Sequence, residues 1–234
     1  SKVVVNATGV FVDDVMKMDE CDTRRKVRPS QGVHLVVDSK FLGGRSALMI
    51  PKTKDGRVLF GVPWHGKVVL GTTDTPLNEA SLEPRALEEE VDFILDQAGQ
   101  YLDRKPTRAD VLSIFAGLRP LAAPTHADSK KTKEISRNHK IYRSKSGLLT
   151  ITGGKWTTYR AMAEDVINQA IVIGGLSPAE CVTKNLRVHG YTKEQFDEND
   201  WNYVYGSDAS KIQKMIEKEP SFAEKLYEGY TFTA

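Results

Sequence analysis

The residues best suited to bind an anion lie in the stretch 148–170, which reads LLTITGGKWTTYRAMAEDVINQA. Residues 148–152 form a short apolar, β-branched run that is typical of a buried strand, and Gly153 and Gly154 then permit a tight turn. A helix follows, so the turn presents free N–H groups and the positive end of the helix dipole. Lys155 adds a full positive charge within that turn. The pattern predicts an anion site, with an ordinary strand-to-helix connection as the alternative.

A second candidate cation lies in a strand-like segment further upstream. Ile135, Arg137, His139, Ile141 and Arg143 alternate along the chain, which places Arg137 and His139 on one partly apolar face. An arginine on such a face costs free energy unless an anion or several acceptors meet it. Arg137 is therefore predicted to meet an anion or to form a structural ion pair, whereas the lysines before it are typical of a solvated loop.

A histidine and a further arginine lie in or beside predicted strands. In the run GVHLVVD, residues 32–38, His34 and Val36 share one face, while Leu35 and Val37 share the other. Arg119 follows a strand predicted at 111–115. A histidine packed on a polar strand edge and an arginine in a structural ion pair are the alternatives to chemical roles for these two side chains.

The first residues of the chain form another predicted strand–turn–helix unit. Residues 3–5 read as a buried strand, Ala7, Thr8 and Gly9 as a turn, and residues 10–18 as an amphipathic helix. Gly9 is expected to supply a positive φ or room beside a ligand, or simply to belong to a helix cap.

The predicted elements around these residues indicate a β-rich part, a core helix and a small helical part of the chain. Short alternating strands fill 27–74, with a hairpin at His65 and Gly66 that indicates an antiparallel sheet. A helix with Pro84 in its first turn has the apolar stripe of a core element. Helices beginning at Ser207 or Asp208 and near Pro220 predict a small helical domain. Three further aromatic residues are predicted to line the core or a pocket: Trp64, Trp156 and Tyr159.

Composition limits the classes of function. The 234 residues are 40% hydrophobic and suggest one or two domains, and a net charge of +2 argues against a general nucleic-acid binder. Cys21 and Cys181 imply no disulfide framework, and His65 and His126 lack metal-ligand spacing, so no metal is predicted. Neither a signal peptide nor an apolar run long enough to span a bilayer is found in the sequence. Residues 3–5 need neighbours on both sides of a sheet, and residues 229–234 stop without a helix or polar tail. A fragment is therefore expected, with a larger domain missing upstream and part of a helical domain missing downstream.

Taken together, NATG, GVHLVV, PWHG with LGTTDT, GLRPL, SRNH and TGGKWTTYR resemble the FAD-dependent glycerol-3-phosphate dehydrogenases in order and spacing. The resemblance runs from Lys2 to about Tyr230. It implies an α+β fold in which an antiparallel substrate domain with flanking helices interrupts a Rossmann-like FAD domain, with the start of a C-terminal helical domain. The implied segments are 1–18 and 148–176 for the FAD domain, 19–147 for the substrate domain and 177–234 for the helical domain. The upstream GxGxxG fingerprint of the family does not occur in this sequence, so neither FAD retention nor activity is expected of this chain alone.

The resemblance also implies the chemistry. Glycerol 3-phosphate would lose a hydride from C2 to flavin N5 and become dihydroxyacetone phosphate. His34 would be the base and Arg119 would polarise the alcohol oxygen, although these two roles could be exchanged. Arg137 and Lys155 would bind the substrate phosphate, and Lys155 would also take part in catalysis. The implied cofactor-binding residues are Ala7, Thr8, Gly9, Gly153, Gly154, Lys155, Trp156 and Thr157.

The partners implied by the resemblance are glycerol 3-phosphate and a quinone electron acceptor, with no nucleic acid. A cytoplasmic location, peripheral membrane contact and a homodimer are further expectations. Two alternatives stay open at this point. The first is an oxidase of the same flavoprotein superfamily that returns electrons to oxygen or acts on an amino acid. The second is a phosphate-binding module without catalysis.

Overall fold

The computed structural model describes residues 1–54, 56–123, 138–194, 201–228 and 232–234. These residues form two compact units, Ser1–Ala179 and Glu180–Ala234. Within its described residues the first unit holds two β-sheets and three α-helices, and all the described candidate site residues belong to it.

The larger sheet of the first unit has six strands in antiparallel pairs. The long strand β2 is its centre, because β7 pairs along one edge of β2 while β5 and β6 pair along the other; β4 and β3 continue outward from β5. The predicted antiparallel sheet is thus confirmed. The strands of this sheet are β2 (Val27–Asp38), β3 (Leu48–Ile50), β4 (Leu59–Trp64), β5 (Lys67–Gly71), β6 (Thr75–Pro76) and β7 (Val111–Ala122).

One face of this sheet builds the main hydrophobic core. Val33, Leu35 and Val37 of β2 point into it, as their alternation with His34 and Val36 predicts. Helix α2 (Glu88–Gly99) covers this face with its apolar stripe. The buried members of the core are Val33, Leu35, Val37, Phe41, Ile50, Leu59, Val68, Leu70, Val91, Ile94, Leu95 and Ala98.

The smaller sheet has three strands in the order β1 (Val5–Asn6), β9 (Leu149–Gly153) and β8 (His139–Arg143). β1 runs parallel to β9, and β8 runs antiparallel to it. Each of the two parallel strands leads through a glycine turn and a short 3₁₀ helix into an α-helix, α1 (Val12–Asp19) or α3 (Tyr159–Gly174). Both predicted strand–turn–helix units are therefore confirmed.

Several predicted bounds differ from the structure. Helix α2 begins at Glu88, not in the turn of Pro84, because Leu87 is extended and donates its N–H to the Glu90 carboxylate. Strand β7 continues seven residues past Phe115, since β2 offers it a partner along almost its whole length. Of residues 3–5, only Val5 belongs to a strand, and it pairs on one side only.

The described part of the second unit contains three helical segments. It contains α4 (Ala209–Lys218), which follows Asp208 as predicted, and two 3₁₀ helices, Trp201–Asp208 and Pro220–Ala223. The helix predicted to begin near Pro220 is thus only one 3₁₀ turn. No helix within the described ranges has the length and apolar composition needed to cross a membrane.

Candidate functional site

His34 lies on the face of the large sheet opposite the core. Its imidazole stacks on the ring of Phe115 in the paired strand β7, with 5.0 Å between the ring centroids and 13° between the planes. On the other side it pairs with Gly71 of β5. A Cβ at Gly71 would lie 2.4 Å from His34 Cδ2, so the absence of a side chain there allows the ring to lie across β5.

Arg119 reaches toward His34 over a gap between two glycines. Gly32 of β2 and Gly117 of β7 are cross-strand partners. On this face of the sheet, their pair is the neighbour of the pair formed by His34 and Phe115. The Arg119 guanidinium lies over Gly32, where an added Cβ would come within 2.3 Å of its Nη2. Antiparallel register and the missing side chain at Gly32 therefore place a permanent cation beside the histidine.

The loop after β5 holds this guanidinium in place. Arg119 donates from Nη1 to the Thr73 carbonyl oxygen at 3.0 Å and from Nη2 to Thr72 Oγ1 at 2.9 Å. Asp74 Oδ1 lies 3.7 Å from Nη1 and also accepts a hydrogen bond from Ser30. Residues 72–74 belong to the LGTTDT motif, whose part in holding Arg119 was missed at the level of sequence because hydroxyl and carbonyl acceptors have no distinctive spacing.

The surroundings favour the neutral form of His34. Burial lowers the pKa of its imidazole, and the positive charge of Arg119 lowers it further. A neutral imidazole at neutral pH has an unprotonated nitrogen that can accept a proton, while the nearby guanidinium can stabilise a developing oxyanion. This pair is suited to removing a proton from a hydroxyl group.

The second group of candidate residues lies at the carboxyl edge of the small sheet. Buried Asn6 organises the turn after β1: its Nδ2 donates to the Val12 carbonyl oxygen at 2.9 Å and to Thr150 Oγ1 at 3.2 Å. Its Oδ1 accepts from Thr8 Oγ1 at 2.8 Å. The asparagine thus fixes the turn of Ala7, Thr8 and Gly9 against the neighbouring strand β9.

Backbone conformation and close contacts with other atoms of the protein explain the two glycines in the turn after β9. Gly153 and Gly154 have φ values of 77° and 75°, in the left-handed region. A Cβ at Gly153 would lie 2.9 Å from the Asn138 carbonyl oxygen, and one at Gly154 would lie 2.4 Å from Met162 Sδ. The room that these glycines provide is therefore taken up at least partly by the protein's own atoms. The prediction that they leave space for a flavin ring stays a prediction.

The residues that follow these glycines are exposed. Lys155 donates its backbone N–H to Thr158 Oγ1 at 3.3 Å, which ties the turn to the start of α3. Trp156 is 85% exposed and stacks on Tyr159, with 5.5 Å between ring centroids. Trp64, Trp156 and Tyr159 are all exposed, so none of them lies in the core, and the alternative that they line a pocket stays a prediction. Exposed Thr157 lies in the same 3₁₀ turn.

The arrangement of the small sheet fits a nucleotide cofactor. Parallel β1 and β9 end at the same edge, and each is followed by a helix whose N-terminal end lies at that edge. Open α/β sheets bind ligands at such carboxyl ends, where N–H groups and helix dipoles favour phosphate. A Cβ at Gly9 would meet no atom within 4 Å, so space exists above the first turn. The 3₁₀ helix that starts at Gly9 contacts both β2 and β7, the strands that carry His34 and Arg119.

Two predicted features need separate mention. Arg137 and His126 lie outside the described residues. His139, predicted on the same face as Arg137, pairs through Nε2 with Asp165 Oδ2 of α3 at 2.7 Å. Among the residues that the structure describes, no group of three or more histidine, cysteine or acidic side chains is arranged to hold a metal ion.

Comparisons with known proteins give the family. The profile described as FAD dependent oxidoreductase matches residues 1–160. A mitochondrial glycerol-3-phosphate dehydrogenase of Arabidopsis thaliana is 49% identical over 235 residues, which cover 100% of this chain and 36% of that protein. A mitochondrial glycerol-3-phosphate dehydrogenase of Bos taurus is 45% identical over 192 residues, covering 81% of this chain and 26% of that protein.

A solved structure agrees with these relatives. The glycerol-3-phosphate dehydrogenase of Bacillus halodurans, complexed with FAD, superposes with a TM-score of 0.71 and 32% sequence identity. The superposition covers 93% of this chain and 42% of that one. The chain thus spans between about a quarter and two fifths of the lengths of these three proteins.

Proposed function

Since the chain belongs to the FAD dependent oxidoreductase family, we propose that it serves the FAD-dependent oxidation of sn-glycerol 3-phosphate to dihydroxyacetone phosphate. The observation that carries the proposal is the juxtaposition of His34 and Arg119, a neutral base beside a fixed cation. The names of the relatives, all glycerol-3-phosphate dehydrogenases, support the choice of substrate.

The proposed reaction removes a hydride from C2 of the substrate and a proton from the hydroxyl group on that carbon. Bound FAD would supply the acceptor for the hydride. His34 would take the hydroxyl proton at an imidazole nitrogen, which its lowered pKa keeps unprotonated at neutral pH. Arg119 would donate to the same oxygen and stabilise its negative charge as the proton leaves. An exchange of these two roles is the alternative.

The remaining predicted residues would bind the two anionic groups. Lys155 and Arg137 would meet the substrate phosphate, for which a lysine point charge and a forked guanidinium are both suited. The turn of Ala7, Thr8 and Gly9 and the segment from Gly153 to Thr157 would hold FAD. Their position at the carboxyl ends of two parallel strands supports this part of the proposal.

Because this chain alone is not expected to retain FAD, the test uses the full-length protein loaded with flavin and its His34→Ala variant. We expect glycerol-3-phosphate-dependent reduction of a dye by the parent protein, and a fall in kcat of about 10²- to 10⁴-fold in the variant, the usual contribution of a general base. His65→Ala, in the exposed hairpin turn, is the matched control and should keep its turnover. Unchanged turnover in His34→Ala would remove His34 from the mechanism, and no oxidation by the parent protein would refute the function.

The electron acceptor belongs to the same proposal. A quinone is expected, with contact at a membrane surface and a homodimer as further features. The word dehydrogenase in the names of the relatives supports this over an oxidase. Reduction of a quinone analogue without peroxide formation is the expected result; stoichiometric peroxide would instead identify an oxidase.

A further inference from the structure

A buried carboxylate lies behind the His34 and Arg119 pair. Glu90, in the first turn of α2, is only 5% exposed. A charge removed from water is costly unless hydrogen bonds compensate for the loss of solvation. In the sequence, Glu90 is the last of three consecutive glutamates and has no feature that separates it from the other two.

Four donors converge on this carboxylate. Its Oε1 accepts from Thr73 Oγ1 at 2.9 Å and from Thr75 Oγ1 at 2.6 Å. Its Oε2 accepts from Gln31 Nε2 at 2.7 Å and from the Leu87 N–H at 3.0 Å. Burial by itself raises the pKa of Glu90, but these hydrogen bonds outweigh it and leave the pKa below its ordinary value. The group is therefore a carboxylate at neutral pH.

Thr73 connects this carboxylate to the proposed catalytic face. Its hydroxyl donates to Glu90 and accepts the N–H of Val33, the residue between Gly32 and His34, at 2.9 Å. Its carbonyl oxygen accepts a hydrogen bond from Arg119 Nη1 at 3.0 Å. Thr73 thus connects the two groups: Glu90 fixes its side chain, and its carbonyl oxygen fixes Arg119.

We propose that Glu90 is a positioning residue, which acts through Thr73 to hold the Arg119 guanidinium over Gly32 beside His34. Glu90 holds the loop at both of its ends, through Thr73 and Thr75, and the loop in turn supplies the acceptors that fix Arg119. The inference rests on the proposed function only in assigning Arg119 to the substrate's alcohol oxygen.

The first readout is independent of catalysis. The titration of the His34 imidazole is followed by NMR in the parent protein and in the Glu90→Ala, Glu89→Gln and Arg119→Gln variants. Because Arg119 lowers the pKa of His34, a guanidinium released by Glu90→Ala should let that pKa rise toward the Arg119→Gln value. Exposed Glu89, in the same helical turn, is the matched control and should leave the titration unchanged.

The second readout is kinetic. In the flavin-loaded protein, Glu90→Ala should lower kcat by about 10- to 100-fold, the loss expected from a misplaced catalytic group, while Glu89→Gln keeps its activity. If Glu90→Ala does not fold, Thr73→Val, which preserves side-chain size, takes its place with the same expectations. A parental His34 titration in the folded variant would overturn the inference. A protein that never oxidises glycerol 3-phosphate would refute the proposed function while leaving the NMR comparison to decide on Glu90.

Discussion

At the scale of single residues, the proposed site depends on His34 being uncharged next to the positive charge of Arg119. His34 and Arg119 are both nitrogen bases, and two cations side by side would repel each other. The protein resolves this by leaving the histidine neutral, since partial burial and the guanidinium both lower its pKa. The arginine keeps its charge and has oxygen acceptors on its outer side. His34 can thus accept a proton while Arg119, in the neighbouring position, keeps its positive charge.

The lowered pKa of His34 gives a prediction on pH. Between the lowered folded pKa and about 6.5, the unfolded chain binds more protons at this position than the folded chain does. The free energy of unfolding should therefore decrease as pH falls through that window. In parallel, kcat/KM should stay level near neutral pH and decrease only below it, as the base becomes protonated.

Denaturant titrations at a series of pH values, together with pH–rate profiles, measure both effects. The His34→Asn variant, which cannot titrate at this position, should lose part of the slope in unfolding free energy. A slope identical in the two proteins, or a kcat/KM that decreases as pH rises above 7, would contradict this account of His34.

At the scale of elements, the antiparallel pair β2 and β7 decides where Arg119 can lie. The paired glycines Gly32 and Gly117 leave a gap in the row of side chains, and the guanidinium occupies only the Gly32 half of it. A Cβ at Gly117 would have no atom within 4 Å. Substitutions at these two glycines therefore compare a position that the guanidinium occupies with a paired position that is open.

Gly32→Ala is predicted to displace Arg119 with little effect on the fold. The new methyl group would meet the flexible end of a side chain, so the free energy of unfolding should change by no more than about 1 kcal/mol. With Arg119 displaced, kcat/KM should fall by about 10²-fold, and the His34 pKa should rise. Calorimetry, kinetics and NMR titration measure these three quantities.

Gly117→Ala is the control for that variant. It adds the same methyl group to the facing strand but should leave the His34 pKa at its parental value, because the guanidinium is not touched. Equal rises of the His34 pKa in both variants would show that the position of Arg119 does not depend on the Gly32 gap.

At the scale of the whole first unit, the function requires that its two sheets keep a fixed relation. Asp13 in the first turn of α1 accepts the backbone N–H groups of Lys26 at 2.8 Å and Val27 at 3.0 Å, where β2 begins. β7 contacts β9 further along, with Ala122 packed near Gly153. These contacts connect the strands that carry His34 and Arg119 to the edge proposed to hold FAD.

Asp13→Ala should weaken this connection. The variant leaves two partly buried N–H groups without their acceptor, so the free energy of unfolding should fall by about 1–3 kcal/mol. The flavin should also dissociate more readily, since both sheets contribute to its proposed surroundings. Denaturant unfolding and equilibrium flavin release measure these changes.

Asp14→Ala is the matched control, because Asp14 is exposed and lies in the same first turn of α1. Its interaction with the helix dipole is similar, so the difference between the two variants isolates the link to β2. Equal losses of stability in both would assign the effect to the helix end instead.

Most of the elements, and the resemblance to the family, could be predicted from local patterns in the sequence. Alternation in GVHLVVD predicted which face of β2 is buried, and the two strand–glycine–helix units were readable because their residues are contiguous. Local signals are sufficient here, since side-chain period and turn chemistry act over a few neighbouring residues. The same signals failed for the start of α2 and the exposed Trp156, where tertiary contacts or their absence outweigh local preference.

The assembly of the candidate site depends on contacts between segments that are distant in the sequence. His34 and Arg119 are far apart in sequence and meet because the register of β2 and β7 brings them to one face, across a gap left by Gly32. Glu90 looked like an ordinary acidic residue at a helix start, yet it is buried among four donors behind that face. The pairing register of distant strands, and the burial of Glu90 by elements remote in sequence, are properties of the packed chain that no local pattern predicts.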